Sequence, residues 1–308
     1  PTGSGSRIKF FYNNNIELRT TPDPVTNKFT KGYDYYFNIS ISNKNFDSIK
    51  INLYALRPNI NHKKIKWLPS KAPVFCSTNM KKWYLLPNVL SSSGNLNYKC
   101  PISIPPQKKL YISNNIPSVP QDVVNELKII SLKNPKISIY KEIGKSIKKE
   151  PISLISINEN PRIKKDRFLI WAGIHPSEPD TMATLYLIKW LLSNNQNAKI
   201  ARKSYVFDII PMINPDGFNL GTNGCNAKGV NIYWNFYKKN NIKCPESTSL
   251  WDFIKKNPPQ VALDIHSYIY QTEKKARPYI LSIKSYPKNF RNAAWKMQRS
   301  IVKLCNNN

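Results

Sequence analysis

The chain has 308 residues, and at about 100–200 residues per domain this length predicts two domains. Hydrophobic residues make up 41% of the composition, including 7 Trp, 17 Tyr and 12 Phe, which excludes a disordered chain and is sufficient for packed cores. The formal net charge of +29 would favour acidic partners such as peptide tails, nucleic acid or anionic lipid, but the lysines are scattered and indicate a bias in composition.

Residues 1–6 (PTGSGS) lack a starting Met, and no signal-peptide pattern follows them. We expect them to be either an added leader or the cut edge of a longer gene product.

Residues 7–116 are predicted to form a small all-β sandwich domain. Short segments rich in aromatic and β-branched residues alternate there with Pro, Asn, Ser and Gly, as is typical of sandwich strands. The predicted strands are residues 33–42, 50–58, 72–77, 83–88 and 109–115, and residues 91–95 (SSSGN) are predicted to be a loop.

Residues 117–308 are predicted to form an α/β domain, because strand and helix patterns alternate along them. We expect a mixed, largely parallel sheet flanked by helices. The predicted helices are residues 118–133, 181–194, 247–256 and 289–305, and the predicted strands are residues 152–158, 167–174, 205–213, 260–267 and 278–284. Residues 181–194 are apolar nearly all round, which predicts a buried helix.

No apolar run approaches about 20 residues, so the sequence predicts no membrane span. We find none of the common nucleic-acid-binding motifs and expect no nucleic-acid partner. The five cysteines have no zinc-type pair spacing, and we interpret them as free thiols of a protein in a reducing, cytoplasmic compartment.

Two of the three histidines follow predicted strands. His175 ends the apolar run FLIWAGI, three residues before Glu178, and His266 ends VALDI. Ligands bind at the carboxyl ends of strands in open α/β sheets, and two His with one Glu and an open position form a catalytic zinc site. Asp264 lies two residues before His266, where it would orient that ligand. A His-x-x-Glu spacing alone is weak evidence, and a histidine such as His62 in NINHKKIKW is interpreted as a solvated loop residue.

Five segments in order resemble the zinc carboxypeptidase family, and more closely its cytosolic carboxypeptidase branch. They are residues 140–157 (YKEIGKSIKKEPISLISI), 171–192 (WAGIHPSEPDTMATLYLIKWLL), 209–236 (IIPMINPDGFNLGTNGCNAKGVNIYWNF), 244–254 (CPESTSLWDFI) and 262–268 (ALDIHSY). The β-rich region 7–116 is similar to the amino-terminal sandwich of the cytosolic branch. That pairing of domains favours this branch over the digestive carboxypeptidases.

The resemblance implies one zinc ion held by His175, Glu178 and His266. It implies hydrolysis of a peptide bond near a C-terminus, so that the expected partners are peptide or protein C-terminal tails. In the cytosolic branch it further implies removal of glutamates from acidic tails, with which the charge of +29 is compatible.

The sequence departs from the family pattern at its arginines. The arginine that helps to polarise the scissile carbonyl falls on Gly224, and the Asn-Arg pair that holds the terminal carboxylate falls on Tyr233 and Trp234. An indole offers one N–H where a guanidinium would bind a carboxylate with two. The preceding Asn231 matches a variant of the cytosolic branch. The two family arginine positions, Gly224 and Trp234, therefore identify no substrate-binding residue in this chain.

The general-base glutamate of the family is not found either. Glu273 is the one acidic residue after His266, and at seven residues it is too close, so we interpret it as an exposed loop residue. We expect the α/β domain to be incomplete because the chain is cut from a longer protein. The alternative is a degenerate peptidase, which would explain the changes at Gly224, Tyr233 and Trp234. Loss of a general base typically costs about 10²–10⁴-fold in rate.

Three functions remain open from the sequence. The first is a zinc carboxypeptidase of the cytosolic type. The second is a zinc-binding pseudopeptidase that binds C-terminal tails without cutting them, and the third is an amidase that cleaves a cell-wall peptide.

Overall fold

The structure is a computed structural model that describes residues 5–11, 13–20, 22–23, 36–56, 73–91, 98–236, 244–266, 284 and 288–306. Two compact units are present, Pro1–Tyr270 and Gln271–Asn308. The division into domains at residues 7–116 and 117–308 stays a prediction. None of the described helices is long and apolar enough to cross a membrane.

Nine strands in the amino-terminal part of the first unit form two sheets. The strands are β1 (Gly5–Phe11), β2 (Asn15–Thr20), β3 (Asn38–Ser42), β4 (Ile49–Leu56), β5 (Phe75–Ser77), β6 (Tyr84–Leu85), β7 (Leu90–Ser91), β8 (Tyr98–Ile104) and β9 (Lys109–Ser113). One sheet has the order β1-β2-β4-β8-β7 and the other β3-β9-β5-β6. Each predicted strand is found with somewhat different bounds. Ser91 of the predicted loop belongs to β7, and residues 92–95 of that loop lie outside the described part of the chain.

The two sheets share one hydrophobic core, which includes Leu18 of β2, Leu53 of β4 and Ile112 of β9, all fully buried. In β8, buried and exposed residues alternate strictly, as expected for a strand with one face on a core. Its Pro101 lies beyond the reach of β7, which pairs only with Tyr98 and Lys99. The proline therefore removes no described hydrogen bond on that side of the strand.

A third sheet, which is mixed, follows along the described part of the chain. Its strands are β10 (Ser138–Lys145), β11 (Pro151–Ile157), β12 (Asp166–Trp171), β13 (Tyr205–Ile210) and β14 (Val261–Asp264), in the order β10-β11-β13-β12-β14. The pairs β10–β11 and β11–β13 are antiparallel, whereas β13–β12 and β12–β14 are parallel. The mixed sheet flanked by helices confirms the predicted fold class.

Helices cover both faces of this sheet. They are α1 (Pro120–Lys133), α2 (Asp180–Leu191), α3 (Gln196–Ser204), α4 (Pro215–Leu220) and α5 (Pro245–Lys256), with a 3₁₀ helix at Ile232–Phe236. Leu154 of β11 packs in the core on the α5 side, and its neighbour Ile155 packs in the core shared with α1 and α2. Because both faces are covered, consecutive residues of β11 are buried, from Ile152 to Ile155, whichever side of the sheet they point to.

The prediction that residues 181–194 form a buried helix is wrong in one respect. Helix α2 is present, but its Tyr186 is 65% exposed and its Trp190 is 41% exposed. Leu185, Ile188 and Leu191 form the buried face. The helix lies on the surface of the sheet, so one of its sides meets solvent although the side chains there are apolar.

The second unit contains a 3₁₀ turn at Lys288–Phe290 and helix α6 (Arg291–Asn306), which confirms the last predicted helix. The predicted strand at 278–284 lies outside the described residues except for its last one.

Candidate metal centre

The ends of β12 and β14 position two of the predicted metal ligands. These strands are parallel neighbours, with Trp171 opposite Asp264, so their carboxyl ends meet at the same edge of the sheet. The main-chain N–H of Ile265 donates to the carbonyl of Trp171 at 2.9 Å and extends the pairing by one step. His175 follows β12 and His266 follows β14, as the sequence predicted.

The turn after β12 is built around Gly173. Its φ of 67° is left-handed, and a Cβ atom there would lie 2.7 Å from the Cα of Met212, so no other residue fits. The N–H of Gly173 donates to Asp180 Oδ2 at 3.0 Å, and the N–H of Glu178 donates to the carbonyl of His175 at 3.0 Å. The turn therefore brings the side chains of His175 and Glu178 to the same side of the main chain.

The three predicted ligands meet at one point. One ligand atom from each of His175, Glu178 and His266 lies within 4.8 Å of the other two. His175 and Glu178 are 8% and 6% exposed, and the two imidazole rings stand edge to face with centroids 4.8 Å apart. No other set of three such side chains with ligand-like spacing occurs among the described residues.

Two neighbouring side chains offer hydrogen-bond acceptors to the two imidazole rings. Asn231 Oδ1 accepts the main-chain N–H of Tyr233 at 3.1 Å and lies 3.3 Å from His175 Nε2. Asp264 Oδ1 lies 3.2 Å from His266 Nδ1, which confirms the predicted placement of this carboxylate beside the ligand. When a cation binds the other nitrogen of each ring, these oxygens would accept the remaining ring N–H.

The remaining atoms fit a bound cation. His175 Nδ1 lies 2.9 Å from Glu178 Oε1, so the two atoms are close enough to bind one ion. His266 Nε2 is buried and has no hydrogen-bond partner among the described residues. Two imidazole nitrogens and one carboxylate oxygen are a donor set typical of zinc with one open position. The residues present thus fit a zinc ion.

The local electrostatic field also favours positive charge. Burial lowers the pKa of His266, but the hydrogen bond to Asp264 and the charges of Glu178, Asp264 and Asp180 outweigh it and raise that pKa to about 9. Asp180 is fully buried, and burial together with the nearby charge of Glu178 raises its pKa well above the ordinary value. A divalent cation would relieve this excess of negative charge.

Aromatic residues form one wall of the site. The ring of Tyr233 lies 5.0 Å from the ring of His266 and 6.1 Å from that of His175. Trp234 contacts Tyr233 edge to face at 4.9 Å and is 42% exposed. Gly224, at the other family arginine position, is buried, and its main-chain N–H donates to Asp23 Oδ2 at 2.7 Å.

Some residues singled out in the sequence lie outside the described part of the chain, namely His62 and Glu273. Sequence reasoning missed Asp180, although an acidic residue two positions after a ligand was a possible signal. It also missed Asp23 and Ser177, for which no local pattern exists.

The family model for zinc carboxypeptidases matches residues 123–298, which is more than half of the chain. The chain is 24% identical over 257 residues to cytosolic carboxypeptidase 6 of Mus musculus, a match that covers 76% of this chain and 45% of that protein. It is 34% identical over 95 residues to cytosolic carboxypeptidase 6 of Caenorhabditis elegans, which covers 29% of this chain and 21% of that protein. The chain thus spans less than half the length of these relatives.

Solved metallocarboxypeptidase structures share the fold. The metallo-carboxypeptidase from Burkholderia cenocepacia matches with a TM-score of 0.69 at 19% identity, covering 86% of this chain and 68% of that chain. A putative carboxypeptidase A from Shewanella denitrificans matches with the same TM-score and identity, covering 87% and 68%.

Proposed function

The chain belongs to the zinc carboxypeptidase family, and from this premise we propose that it is part of a zinc-dependent carboxypeptidase that removes residues from the C-terminus of peptides or proteins. The observation that carries the proposal is the convergence of His175, Glu178 and His266 at the carboxyl edge of the sheet. We assign these three residues as the ligands of one zinc ion.

Zinc in such a site polarises a substrate carbonyl and lowers the pKa of a bound water molecule to about 7. The residues of this chain contribute the geometry. Asn231 and Asp264 orient the two imidazoles, and Asp180 holds the turn at Gly173 that carries the first two ligands. The general base is assigned to none of the described residues.

The finer substrate assignment is removal of glutamates from acidic tails. It follows from the resemblance of the sequence to the cytosolic branch, and the net charge of +29 is compatible with acidic substrates. The names of the relatives, which are cytosolic carboxypeptidases, support a cytoplasmic location. The partners are then protein or peptide tails.

A second candidate is a zinc-binding pseudopeptidase that binds tails without cutting them. The observation that favours it is Gly224, Tyr233 and Trp234 at the three positions where the family resemblance places substrate-binding and carbonyl-polarising side chains. Tyr233 and Trp234 would bind the C-terminal residues of a peptide through contacts with their rings. They cannot form the two parallel hydrogen bonds that a guanidinium makes to a carboxylate. No described residue favours the cell-wall amidase over these two candidates.

One experiment separates the candidates. The zinc-loaded protein is incubated with a glutamate-tailed peptide, the same peptide with an amidated C-terminus, and a peptide with a neutral tail, and products are followed by mass spectrometry while binding is followed by fluorescence anisotropy. Stepwise loss of C-terminal residues that disappears in His266→Ala supports the carboxypeptidase. Binding without cleavage overturns it in favour of the pseudopeptidase, and neither binding nor cleavage defeats both.

A further inference from the structure

Asp23 of the amino-terminal part of the chain is buried against the loop that precedes Asn231. It is 5% exposed, and its carboxylate accepts four N–H groups from residues 200 or more positions away. Oδ1 accepts the main-chain N–H of Asn223 at 2.8 Å and its side-chain amide at 2.9 Å. Oδ2 accepts the main-chain N–H groups of Gly224 at 2.7 Å and Cys225 at 3.2 Å. Three successive main-chain N–H groups thus converge on one carboxylate.

Such a concave arrangement of N–H groups stabilises a negative charge and is held in place by it. Burial raises the pKa of Asp23, and the hydrogen bonds from Asn223, Gly224 and Cys225 partly offset this effect. Removing the carboxylate would leave these buried donors without their acceptor, which is costly in a buried site, so the loop would shift to satisfy them.

A second contact ties the same loop to the amino-terminal part. The main-chain N–H of Tyr36 donates to Asn223 Oδ1 at 2.7 Å. The Asn223 side chain is therefore held at its oxygen by Tyr36 and at its nitrogen by Asp23, and Asn223 is fully buried.

From this loop, two routes lead to the metal centre. The Ser177 hydroxyl donates to the carbonyl of Asn223 at 2.8 Å, and Ser177 lies in the turn between His175 and Glu178. Cys225 forms a β-bridge with Asn231, whose Oδ1 faces His175 Nε2. The conformation of residues 223–225 therefore affects both the ligand turn and the partner of its first histidine.

We propose that Asp23 is a positioning residue of the metal centre, acting through residues 223–225 on Ser177 and Asn231 to raise the affinity of the three ligands for a divalent cation. The inference rests on the proposed zinc site. It assigns to the amino-terminal part of the chain a role in assembling that site, since metal sites need supporting contacts that fix their ligands.

The test measures zinc affinity by competition with a chromophoric chelator, together with the visible spectrum of the cobalt(II)-substituted protein. The variants are Asp23→Asn, Ser177→Ala and the double variant. Loss of an outer contact typically costs about 10–100-fold in metal affinity, and we expect about tenfold for each single variant and an altered cobalt spectrum. Because the Ser177 route begins at the residues that Asp23 holds, the two losses should overlap, and the double variant should lose little more than the larger single loss.

Asn43→Ala is the matched control. Asn43 is also buried in the amino-terminal part, and its side chain donates to the carbonyls of Asp47, Ile104 and Pro105. The Asn43→Ala substitution should lower the free energy of unfolding, measured in urea, while the zinc affinity and the cobalt spectrum stay as in the wild type. Ser177→Thr, which restores the hydroxyl, should recover affinity lost in Ser177→Ala.

Wild-type zinc affinity in both Asp23→Asn and Ser177→Ala would overturn the inference, as would additive losses in the double variant or an equal loss in Asn43→Ala. If Asp23→Asn does not fold, the two Ser177 variants decide the route. Failure of the wild type to bind zinc at all would instead defeat the metal site itself, so the two failures are distinguishable.

Discussion

Replacing Asp264 tests how the metal centre orients its third ligand. Asp264 Oδ1 lies 3.2 Å from His266 Nδ1, and the two side chains are 26% and 25% exposed. Asp264→Ala removes the acceptor and the charge together. Asp264→Asn removes the charge but leaves an oxygen that still accepts the imidazole N–H. We therefore expect both variants to bind zinc more weakly, with the larger loss in Asp264→Ala.

The magnitude follows from the geometry. Loss of an outer partner of a ligating histidine costs about 10–100-fold in metal affinity, or about 1.4–2.8 kcal/mol. The side chains of Asp264 and His266 are about one-quarter exposed, and their contact of 3.2 Å is long for a charged hydrogen bond. Since solvent screens such a contact, we expect Asp264→Ala to lose about 30-fold in zinc affinity, near the middle of this range. Asp264→Asn should lose about threefold to tenfold.

Zinc affinity is measured by chelator competition, with Asp252→Ala as the control. Asp252 is an exposed carboxylate on α5, with a side chain 55% exposed, so its removal makes the same change in net charge away from the site. Equal affinities for Asp264→Ala and Asp252→Ala would refute the assignment of Asp264 as the partner of His266.

Three further predictions concern the site and the cores. Asn231→Ala removes the acceptor at His175 Nε2 and should weaken zinc binding by about tenfold, with unaltered affinity as the contrary result in the same chelator assay. Free zinc at about 100 times its Kd should raise the free energy of unfolding by about 2.7 kcal/mol, measured by urea titration, and His266→Ala should lose this gain. Leu154→Ala empties a fully buried position and should cost about 2–5 kcal/mol by urea titration, whereas Leu85→Ala, 62% exposed, should change the same quantity by about 0.5 kcal/mol or less.

The metal ligands could be predicted because their signal is local. His175 and His266 each follow an apolar strand segment, and parallel strands bring their carboxyl ends to one edge of a sheet. The family resemblance, carried by five ordered segments, is confirmed by the family model over residues 123–298. Asp264 was predictable for the same reason, since residues two apart on a strand point to the same side.

Features set by tertiary context were not predictable. Strand β8 was missed because Pro101 argues against a strand, and its tolerance depends on how short β7 is. The exposed side of α2 was missed because Tyr186 and Trp190 are apolar in sequence yet lie on the solvent side of the helix. Apolar content alone does not show which face of a helix meets the sheet.

The contact of Asp23 with residues 223–225 is the clearest example of a feature that the sequence alone could not predict. The partners are separated by 200 or more positions, and neither segment has a motif that points to the other. They meet through the tertiary fold, which also brings Tyr36 to the same loop. Sequence reasoning could place Gly224 by resemblance but could not identify what its N–H binds.

Anomalous diffraction at the zinc absorption edge, collected from crystals of the zinc-loaded protein, determines directly whether His175, Glu178 and His266 bind one zinc ion. We predict one anomalous peak about 2.0–2.2 Å from a nitrogen of His175, a nitrogen of His266 and a carboxylate oxygen of Glu178. A peak bound by other residues, or none at this edge of the sheet in a folded, zinc-saturated crystal, would contradict it.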